Sequence, residues 1–487
     1  MTQLVGRRWR DFVQAVRRYR RTPLLELVAR SAIDLDAGDD LALPGPAGGP
    51  TSVTPFSLAA VAKVALAHGN EHRDLVAGPV DLRRLCDVYM DVGEAYRFGE
   101  EGSLERFFIQ TAHEQFPWQQ TPHHDIGRTH ALYVGAASRH PVGEVVVGFE
   151  TDVLGASLAE YVSALLVWHV GATRHGGFVQ REWLDQPNFV EIVQSVGRGP
   201  LELVLDRLTA PIDGFRELAA SHQLDDATLR RFEFNPLIAK PIVELPGGRL
   251  LAPQSAFIRH RMGAGSIYYD LIASLGTPWA RDLGEVFEHY IGDNLRLIAD
   301  CDIYEQVEYD DDQRSVDYFV RTSEHLVLVE VKSKRLVAES RAGGAVLADD
   351  LKQGLGEAFS QIRRTADLIR DGHPDFARLP CDLPLAGLVV SLEPYFVAHL
   401  EGIRALTGQD PTVPTIVASS AEIEHLAAIS QRSDAGAVVD AALTSERDPG
   451  VMPRFGEEFW RAEHGRNPLL DEAWRRYRFG IDDDVPE

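Results

Sequence analysis

The sequence predicts an α/β protein in which a mixed β-sheet, built in the order α-β-β-β-α-β, follows a mostly α-helical N-terminal domain. Three observations lead to this fold class. The run "LVLVEV" (326–331) is nearly continuously apolar, as in a strand that is covered on both faces. Two shorter strand patterns precede it, and an amphipathic helical pattern over 347–372 follows it. A second apolar run, "LAGLVVSL" (385–392), completes the predicted sheet.

The composition is that of an ordinary globular protein with several domains: 487 residues, 45% hydrophobic and 25% charged. Its cysteines, Cys86, Cys301 and Cys381, are far apart and form no CxxC pair. This excludes a zinc ribbon or disulfide framework and favours a reducing cytoplasm. The chain opens without an apolar signal region, and its greasiest stretch, 161–173, is too short to span a bilayer. We therefore expect a cytoplasmic protein without membrane contact, and a buried helix over 161–173.

Clusters of Gly, Pro and charged residues mark the boundaries between regions of the chain. The segment 35–55 is rich in Gly and Pro, and Thr54 with Pro55 predicts a helix start. Residues 302–309 and 315–320 read as strands, with a turn at "DDDQ" between them. The predicted regions are a basic helical segment (1–34), a mostly helical N-terminal domain (55–230), a β-containing linker (231–280), an α/β domain (281–430) and a C-terminal helical extension with an acidic tail (431–487).

Charge is distributed unevenly along the chain. The net charge of −24 argues against a general nucleic-acid coat protein, because phosphate binding is driven by Lys and Arg. Residues 1–22 nevertheless hold seven arginines, in a helix that either contacts phosphates or pairs with the acidic body of the protein. Residues 332–370 carry eight Lys/Arg against five Asp/Glu, which suits a phosphate track or a solvated helix face. The stretch 472–487 predicts either base stacking or a docked amphipathic helix with a frayed tail.

Charged residues inside the central apolar strand are the candidate chemistry. If the preceding hairpin turns between Ser323 and Glu324, Asp317 faces Glu330, with Cβ atoms about 4.5–5.5 Å apart. Two opposed, partly buried carboxylates repel each other, and a divalent cation between them removes the repulsion. Lys332 follows on the same face. A register slip of one residue would turn Asp317 away. In the alternative interpretation, each carboxylate pairs with an arginine and Lys332 is the first solvated residue after the strand.

The segments "SVDYFV" and "LVLVEVKSK" resemble the active site of the PD-(D/E)xK nuclease superfamily, over about 281–395. The resemblance implies a restriction-endonuclease-like αβββαβ core and hydrolysis of phosphodiester bonds with Mg²⁺, or with Mn²⁺ in its place. Glu285 is the alternative to one of the implied ligands, Glu288. Ser315 and Val316 stand where a proline often precedes the aspartate. The resemblance assigns catalysis to Asp317, Glu330, Lys332 and Gln361, and metal binding to Asp317, Glu330, Glu288 and the Val331 carbonyl.

The resemblance also shapes the expected partners. DNA is favoured over RNA as the substrate, and the expected role is that of an endonuclease in bacterial anti-phage defence or restriction. The N-terminal domain is the expected place for a protein partner or an activating ligand, and a homodimer is left open. The alternatives are an RNA-directed nuclease and a catalytically silent nucleic-acid-binding or regulatory protein with the same fold. The expected nucleic-acid contacts are Lys334, Arg335, Lys352, Arg363 and Arg364.

A second set of potential metal ligands lies in "TPHHDIGRTH" (121–130). His123, His124, Asp125 and His130 could ligate a metal ion, or the stretch could be an ordinary polar loop. Motifs of other enzyme classes are lacking from the sequence: it contains no P-loop, no HExxH and no GxSxG.

Overall fold

The computed structural model describes residues 7–37, 53–95, 102–119, 122–143, 148–410, 412–444, 459 and 462–478. Within these residues the protein is mixed α/β, with a helical N-terminal region and a mixed sheet in the second half. The α-helices are α1 (Trp9–Val16), α2 (Arg21–Asp36), α3 (Pro55–His68), α4 (Pro79–Met90), α5 (Ser103–Gln115), α6 (Pro122–His130), α7 (Ala137–Arg139), α8 (Leu158–Arg174), α9 (Val190–Val196), α10 (Arg198–Leu208), α11 (Ile212–Ser221), α12 (Ala256–His260), α13 (Ala264–Leu295), α14 (Ala338–Arg341), α15 (Leu347–Leu351), α16 (Glu357–Arg370), α17 (Glu401–Thr407), α18 (Ser420–Ile429), α19 (Ala435–Thr444) and α20 (Pro468–Arg475).

The strands form a five-stranded sheet, a four-stranded sheet and a two-stranded ribbon. In the five-stranded sheet the spatial order is β11-β10-β9-β8-β5: β5, β8 and β9 run antiparallel, and β9, β10 and β11 run parallel. The strands are β1 (Phe178–Val179), β2 (Thr209–Pro211), β3 (Ile242–Glu244), β4 (Leu250–Leu251), β5 (Asp302–Glu305), β6 (Glu308–Tyr309), β7 (Gln313–Arg314), β8 (Tyr318–Arg321), β9 (Leu326–Lys332), β10 (Leu385–Ser391) and β11 (Thr415–Ser419).

Strand β9 is covered on both faces, which explains its continuous apolar run. Val327, Val329 and Val331 belong to the same buried cluster as residues of α13. Leu326 and Leu328 belong to the cluster that contains residues of α16. Because side chains alternate along a strand, Glu330 and Lys332 share the second face, at the end where the strand leaves the core.

The hairpin between β8 and β9 has the expected register. Tyr318 pairs with Val329 and Arg321 with Leu326, so the turn is centred between Ser323 and Glu324. Asp317, immediately before β8, therefore lies opposite Glu330 when the pairing is continued by one residue. The predicted α-β-β-β-α-β order is also present, with the additional ribbon of β6 and β7 around the Asp-rich turn.

Three predicted elements differ in detail from the structure. The helix expected from 281 begins at Ala264 and is kinked at Gly276, which has a φ of 69° that favours glycine, two residues before Pro278. The helix expected over 347–372 contains a π-helical turn, Lys352–Gly356. The strand expected over 302–309 is interrupted between β5 and β6. In each case the periodicity is correct, but a local backbone irregularity is missed.

The N-terminal region is helical as expected, and Thr54 caps α3 by accepting a hydrogen bond from the Ser57 N–H. The helical stretch Glu150–Arg174 is long and apolar enough to cross a membrane by length and composition, and half of its most apolar window is buried in the protein. Its larger part, α8, buries Trp168 completely, which agrees with the buried helix predicted over 161–173. The predicted linker forms the β3–β4 hairpin, which joins β1 and β2 in the four-stranded sheet.

The two charged ends of the chain pack against the body of the protein where the structure describes them. Arg7 pairs with Asp91 at 3.5 Å and Arg21 with Glu71 at 2.9 Å, which follows the internal-pairing alternative for these two arginines. At the other end, α20 is a docked helix, and the Tyr477 hydroxyl donates to the Ile126 carbonyl at 2.6 Å. The Gly/Pro-rich residues 38–52 and the acidic tail 479–487 lie outside the described residues.

Candidate active site at the end of the central strand

Asp317, Glu330 and Lys332 lie together where β9 leaves the sheet. The Asp317 carboxylate accepts a hydrogen bond through Oδ2 from the Val331 N–H at 2.7 Å, which ties it to the strand that carries Glu330. Lys332 Nζ lies 2.7 Å from Glu330 Oε1. Val331 thus enters the site through its N–H, and the metal-binding role expected for its carbonyl stays a prediction.

Glu330 is buried, with 3% of its surface exposed. Lys332 satisfies Oε1, whereas Oε2 is buried without a hydrogen-bond partner among the described residues. An unsatisfied buried oxygen costs about 1–3 kcal/mol, and more when it is charged. The sequence alternative, in which an arginine neutralises this carboxylate, is therefore wrong, since its cationic partner is Lys332.

Three carboxyl groups influence one another here. Burial, followed by the charge of Asp317, raises the pKa of Glu330 despite the adjacent ammonium. Burial also raises the pKa of Asp317, although the Val331 N–H and Lys332 act in the opposite direction. For Lys332, burial lowers the pKa, but Glu330 and Asp317 outweigh it and the net shift is upward. The pKa values of both partners of the Glu330–Lys332 ion pair are thus raised: burial is the largest cause at Glu330, and the charges of Glu330 and Asp317 outweigh burial at Lys332.

Glu288 of α13 is the third carboxyl group of the site. It is half-buried, whereas its competitor Glu285 is exposed. Burial first, then the charges of Asp317 and Glu285, raises the pKa of Glu288. Glu288 thus belongs to the same group of interacting acids as Asp317. Three clustered carboxyl groups repel one another when they are ionised, and a divalent cation bound between them removes this repulsion.

Gln361 of α16 contacts backbone, not carboxylate. Its Nε2 donates to the carbonyl of Ser315 at 3.0 Å and to that of Arg314 at 3.2 Å. Gln361 therefore supports the segment that leads into Asp317, and the catalytic role expected for it stays a prediction.

Two further supports of Asp317 were not anticipated from the sequence. Thr365 Oγ1 accepts from the Val316 N–H at 3.2 Å, and Gln306 Nε2 lies 3.5 Å from Asp317 Oδ1. Thr365 is one helical turn beyond Gln361 on α16, so helical spacing could have indicated it. Gln306 lies in the interruption between β5 and β6, for which the sequence carries no comparable signal.

A cleft of about 510 Å³ begins at Lys332 and extends along α16. Lys352 and Arg364, two of the expected nucleic-acid contacts, project from this region and are exposed. Arg363 is exposed as well. The lining residues are Lys332, Lys352, Gly356, Glu357, Ser360, Gln361, Arg364 and Thr407. Three cations against one carboxylate make this cleft suitable for phosphate groups.

Two expected contacts are engaged elsewhere. Lys334 Nζ donates to Gln353 Oε1 at 2.8 Å and lies 3.8 Å from Asp350. The Arg335 side chain is only 4% exposed and pairs with Glu393 at 3.2 Å. A guanidinium enclosed in this way cannot reach a nucleic acid, so the expectation for Arg335 is corrected. Its partner, Glu393, comes from beyond β10, which local charge counting could not reveal.

The histidine-rich stretch is a helix, α6, and not a polar loop. Asp125 is taken by Arg128 at 2.9 Å, and His123 packs on Trp474 with ring centroids 4.2 Å apart. Among the described residues, one set of three metal-ligating side chains has an atom of each within 4.8 Å of the others: Glu324, His325 and Asp440. Asp317, Glu330 and Glu288 do not form such a set.

Comparison of the chain with protein-family models, with curated proteins and with solved structures gives no match. The case for a function therefore rests on the geometry of this site.

Proposed function

We propose that the protein is a divalent-metal-dependent nuclease of the PD-(D/E)xK type, acting at the end of β9. The observation that carries the proposal is Glu330 Oε2, a buried carboxylate oxygen without a partner among the described residues, beside Lys332 and opposite Asp317. A buried carboxylate oxygen without a hydrogen-bond partner is rare in folded proteins and suggests a missing ligand. The antiparallel β5-β8-β9 meander with β10 parallel to β9 supports the same fold family.

The residues present fit a divalent cation. Asp317, Glu330 and Glu288 are hard oxygen ligands of the kind that Mg²⁺ prefers, and binding would relieve the repulsion that raises their pKa values. When bound, such a cation supplies Lewis-acid stabilisation of phosphoryl oxygens and lowers the pKa of a water. Mn²⁺ would serve in place of Mg²⁺.

The chain's own groups have separate tasks in this proposal. Lys332, once its ammonium is released from Glu330 Oε1, neutralises negative charge that develops at the scissile phosphate. Lys352 and Arg364 bind flanking phosphates along the cleft. Gln361 holds the backbone that places Asp317. The preferred substrate is DNA, with a role in bacterial restriction or anti-phage defence proposed by analogy from fold to role.

The test is cleavage of plasmid DNA and of total RNA by the purified protein, with Mg²⁺, Mn²⁺ or EDTA. Wild type is compared with Glu330→Gln and with Glu401→Gln, a matched change at an exposed helix start. We expect metal-dependent cutting that Glu330→Gln lowers at least about 100-fold and that Glu401→Gln leaves unchanged. Cleavage of RNA alone would identify the substrate as RNA. Equal behaviour of wild type and Glu330→Gln on both substrates would refute the nuclease and favour the silent binding protein.

A further inference from the structure

The backbone around Lys332 is held by contacts beyond the sheet. Lys332 and Ser391 form the last pair of the parallel β9–β10 ladder, and the two strands separate after it. The position of the Lys332 ammonium therefore depends on how the two exits are fastened to each other. The two exits are connected by an ion pair between Glu393, two residues after Ser391, and Arg335, three residues after Lys332.

Glu393 forms ion pairs with two guanidinium groups from the segment that follows β9. Arg335 Nη1 lies 3.2 Å from Oε1, and Arg341 Nη2 lies 2.6 Å from Oε2. Burial alone would raise the pKa of Glu393, but Arg335 and Arg341 outweigh it and the net shift is downward. The carboxylate therefore stays ionised, and both of its oxygens are occupied by the segment that follows Lys332.

Arg335 is enclosed on its remaining sides by the start of α13. Its guanidinium lies 4.0 Å from the centroid of the Tyr268 ring, and Nη1 also donates to the Gly265 carbonyl at 3.0 Å. A Cβ at Gly265 would lie 2.8 Å from Glu393 Oε1, so the carboxylate packs directly on the first turn of this helix. The Arg335–Glu393 pair is thus wedged between the sheet and α13.

Burial of the Arg335 guanidinium between the sheet and α13 costs folding free energy. Within the described residues, Arg335 Nε and Nη2 are buried without hydrogen-bond partners. A buried cation with two unsatisfied donors is a poor device for stability alone, because apolar side chains of similar volume stabilise as well or better. Such a group is expected where a position must be fixed rather than where stability must be gained.

Two weaker contacts fasten the same segment on either side of Arg335. The Tyr395 hydroxyl donates to the Lys334 carbonyl at 3.2 Å, and Arg341 Nε donates to the Leu336 carbonyl at 2.9 Å. The segment from 334 to 336 is therefore held at each residue, through two backbone carbonyls and the Arg335 side chain. Lys332 lies two residues before this segment, so these contacts restrict its movement along the strand axis.

We propose that Arg335 and Glu393 are positioning residues for Lys332: their ion pair clamps the exits of β9 and β10 and thereby sets where the Lys332 ammonium lies against Glu330. This inference rests on the proposed function for its catalytic consequence, but the placement of Lys332 is testable without activity. Arg335 is too enclosed to contact substrate, with 4% of its side chain exposed. Both carboxylate oxygens of Glu393 are paired with Arg335 and Arg341.

Acylation of lysines, followed by mass spectrometry, measures the placement directly. The chain has only five lysines, at positions 63, 240, 332, 334 and 352. Wild type is compared with Arg335→Met and Glu393→Gln at one fixed pH, with Lys63 and Lys240 as internal standards. We expect the rate at Lys332 to rise at least threefold in both variants while the two standards are unchanged, since the ammonium is freed from Glu330. An unchanged Lys332 rate in folded variants would overturn the clamp.

The same variants are then assayed for metal-dependent cleavage. A displaced Lys332 should lower kcat roughly 10- to 100-fold with KM unchanged, whereas loss of a phosphate contact would raise KM and reduce the salt dependence of binding. Arg335→Lys, which keeps one charged bond to Glu393, should restore part of kcat and of the wild-type acylation rate. A change confined to KM would overturn the positioning role.

A milder variant guards against loss of folding. Tyr395→Phe removes only the hydroxyl that reaches the Lys334 carbonyl and should raise acylation at Lys332 in the same direction by a smaller factor. If wild type cleaves no substrate, the nuclease proposal fails while the acylation result still decides the clamp. If wild type cleaves and acylation at Lys332 is the same in all variants, the clamp fails while the nuclease proposal stands.

Discussion

The two ends of β9 each hold a buried acid beside a basic side chain, and they differ in how completely the acid is satisfied. At the hairpin end, Asp440 accepts four hydrogen bonds, from the Thr322 and Ser323 hydroxyls, the Glu324 N–H and His325 Nδ1. At the other end, Glu330 has one oxygen on Lys332 and one without a partner in the part of the chain that the structure describes.

This difference separates a structural site from a functional candidate. Asp440 has as many donors as its lone pairs can use, and those donors close the β8–β9 turn. No cation is needed there, although Glu324, His325 and Asp440 have the spacing of metal ligands. Glu330 carries a cost that the fold does not recover, and such costs concentrate at sites of binding and catalysis. Counting satisfied oxygens is thus more informative here than counting clustered ligands.

The largest expected effect is on cleavage and comes from a substitution at the Glu330 end of β9. Lys332→Met should lower metal-dependent cleavage at least about 100-fold, because the ammonium that neutralises developing charge is lost. Initial rates on plasmid DNA measure it, and Arg432→Met, which removes one exposed positive charge, is the matched control. Equal rates in the two variants would show that Lys332 is only a solvated residue after the strand.

The next effect is on stability and comes from a substitution at the hairpin end of β9. Asp440→Ala should lower the free energy of unfolding by about 4 kcal/mol, because four donors, one of them a buried histidine, lose their acceptor. Urea unfolding followed by circular dichroism measures this change. Asp440→Asn, which keeps one carbonyl acceptor, should lose less. Both variants should cleave at the wild-type rate wherever they are folded, and a folded but inactive Asp440→Asn would reverse the assignment of the two ends.

A third buried acid resembles Glu330, since one of its carboxylate oxygens is hydrogen-bonded and the other is not. Glu422 Oε2 accepts from the Ser419 N–H and hydroxyl at 2.7 and 2.8 Å, and Oε1 has no partner within the described residues. Burial raises the pKa of Glu422 to about 7, against the Ser419 hydrogen bonds. A raised pKa in the folded state contributes stability that is complete below the ordinary pKa of 4.5 and is lost as the pH rises through 7.

Glu422→Gln should remove this pH dependence. The variant should gain up to about 3 kcal/mol of unfolding free energy relative to wild type between pH 5 and pH 8, because an amide pays no cost of ionisation. Urea unfolding at the two pH values measures the difference. A constant difference across this range would show that Glu422 ionises normally in the folded protein.

The smallest effect concerns the metal-free Glu330 end. Glu330→Gln in EDTA should change the free energy of unfolding by less than about 1 kcal/mol, since loss of the Lys332 ion pair is offset by removal of an unsatisfied charge. Mn²⁺ at about 100 times its Kd should then stabilise wild type by about 2.7 kcal/mol and leave Glu330→Gln unaffected. Stabilisation of both proteins by Mn²⁺ would place the metal elsewhere.

The strands of the sheet and the register of the β8–β9 hairpin follow from local sequence patterns. The apolar run of β9 and the period of two in β8 and β9 put Asp317 opposite Glu330, as the observed pairing shows when it is continued by one residue. These features are local: hydrophobic alternation and turn position act between neighbours along the chain or across one hairpin. The same holds for α16, but not for the π-helical turn that precedes it, Lys352–Gly356.

Only the tertiary structure decided what each charged side chain pairs with. Arg335 looked like a phosphate contact by charge, yet Glu393, beyond β10, encloses it. Asp440 reaches the β8–β9 turn from α19, far along the chain, and Gln361 turns to the Ser315 carbonyl. The partner of a buried charge is chosen by which distant segments packing brings together, and a local pattern carries no record of that choice.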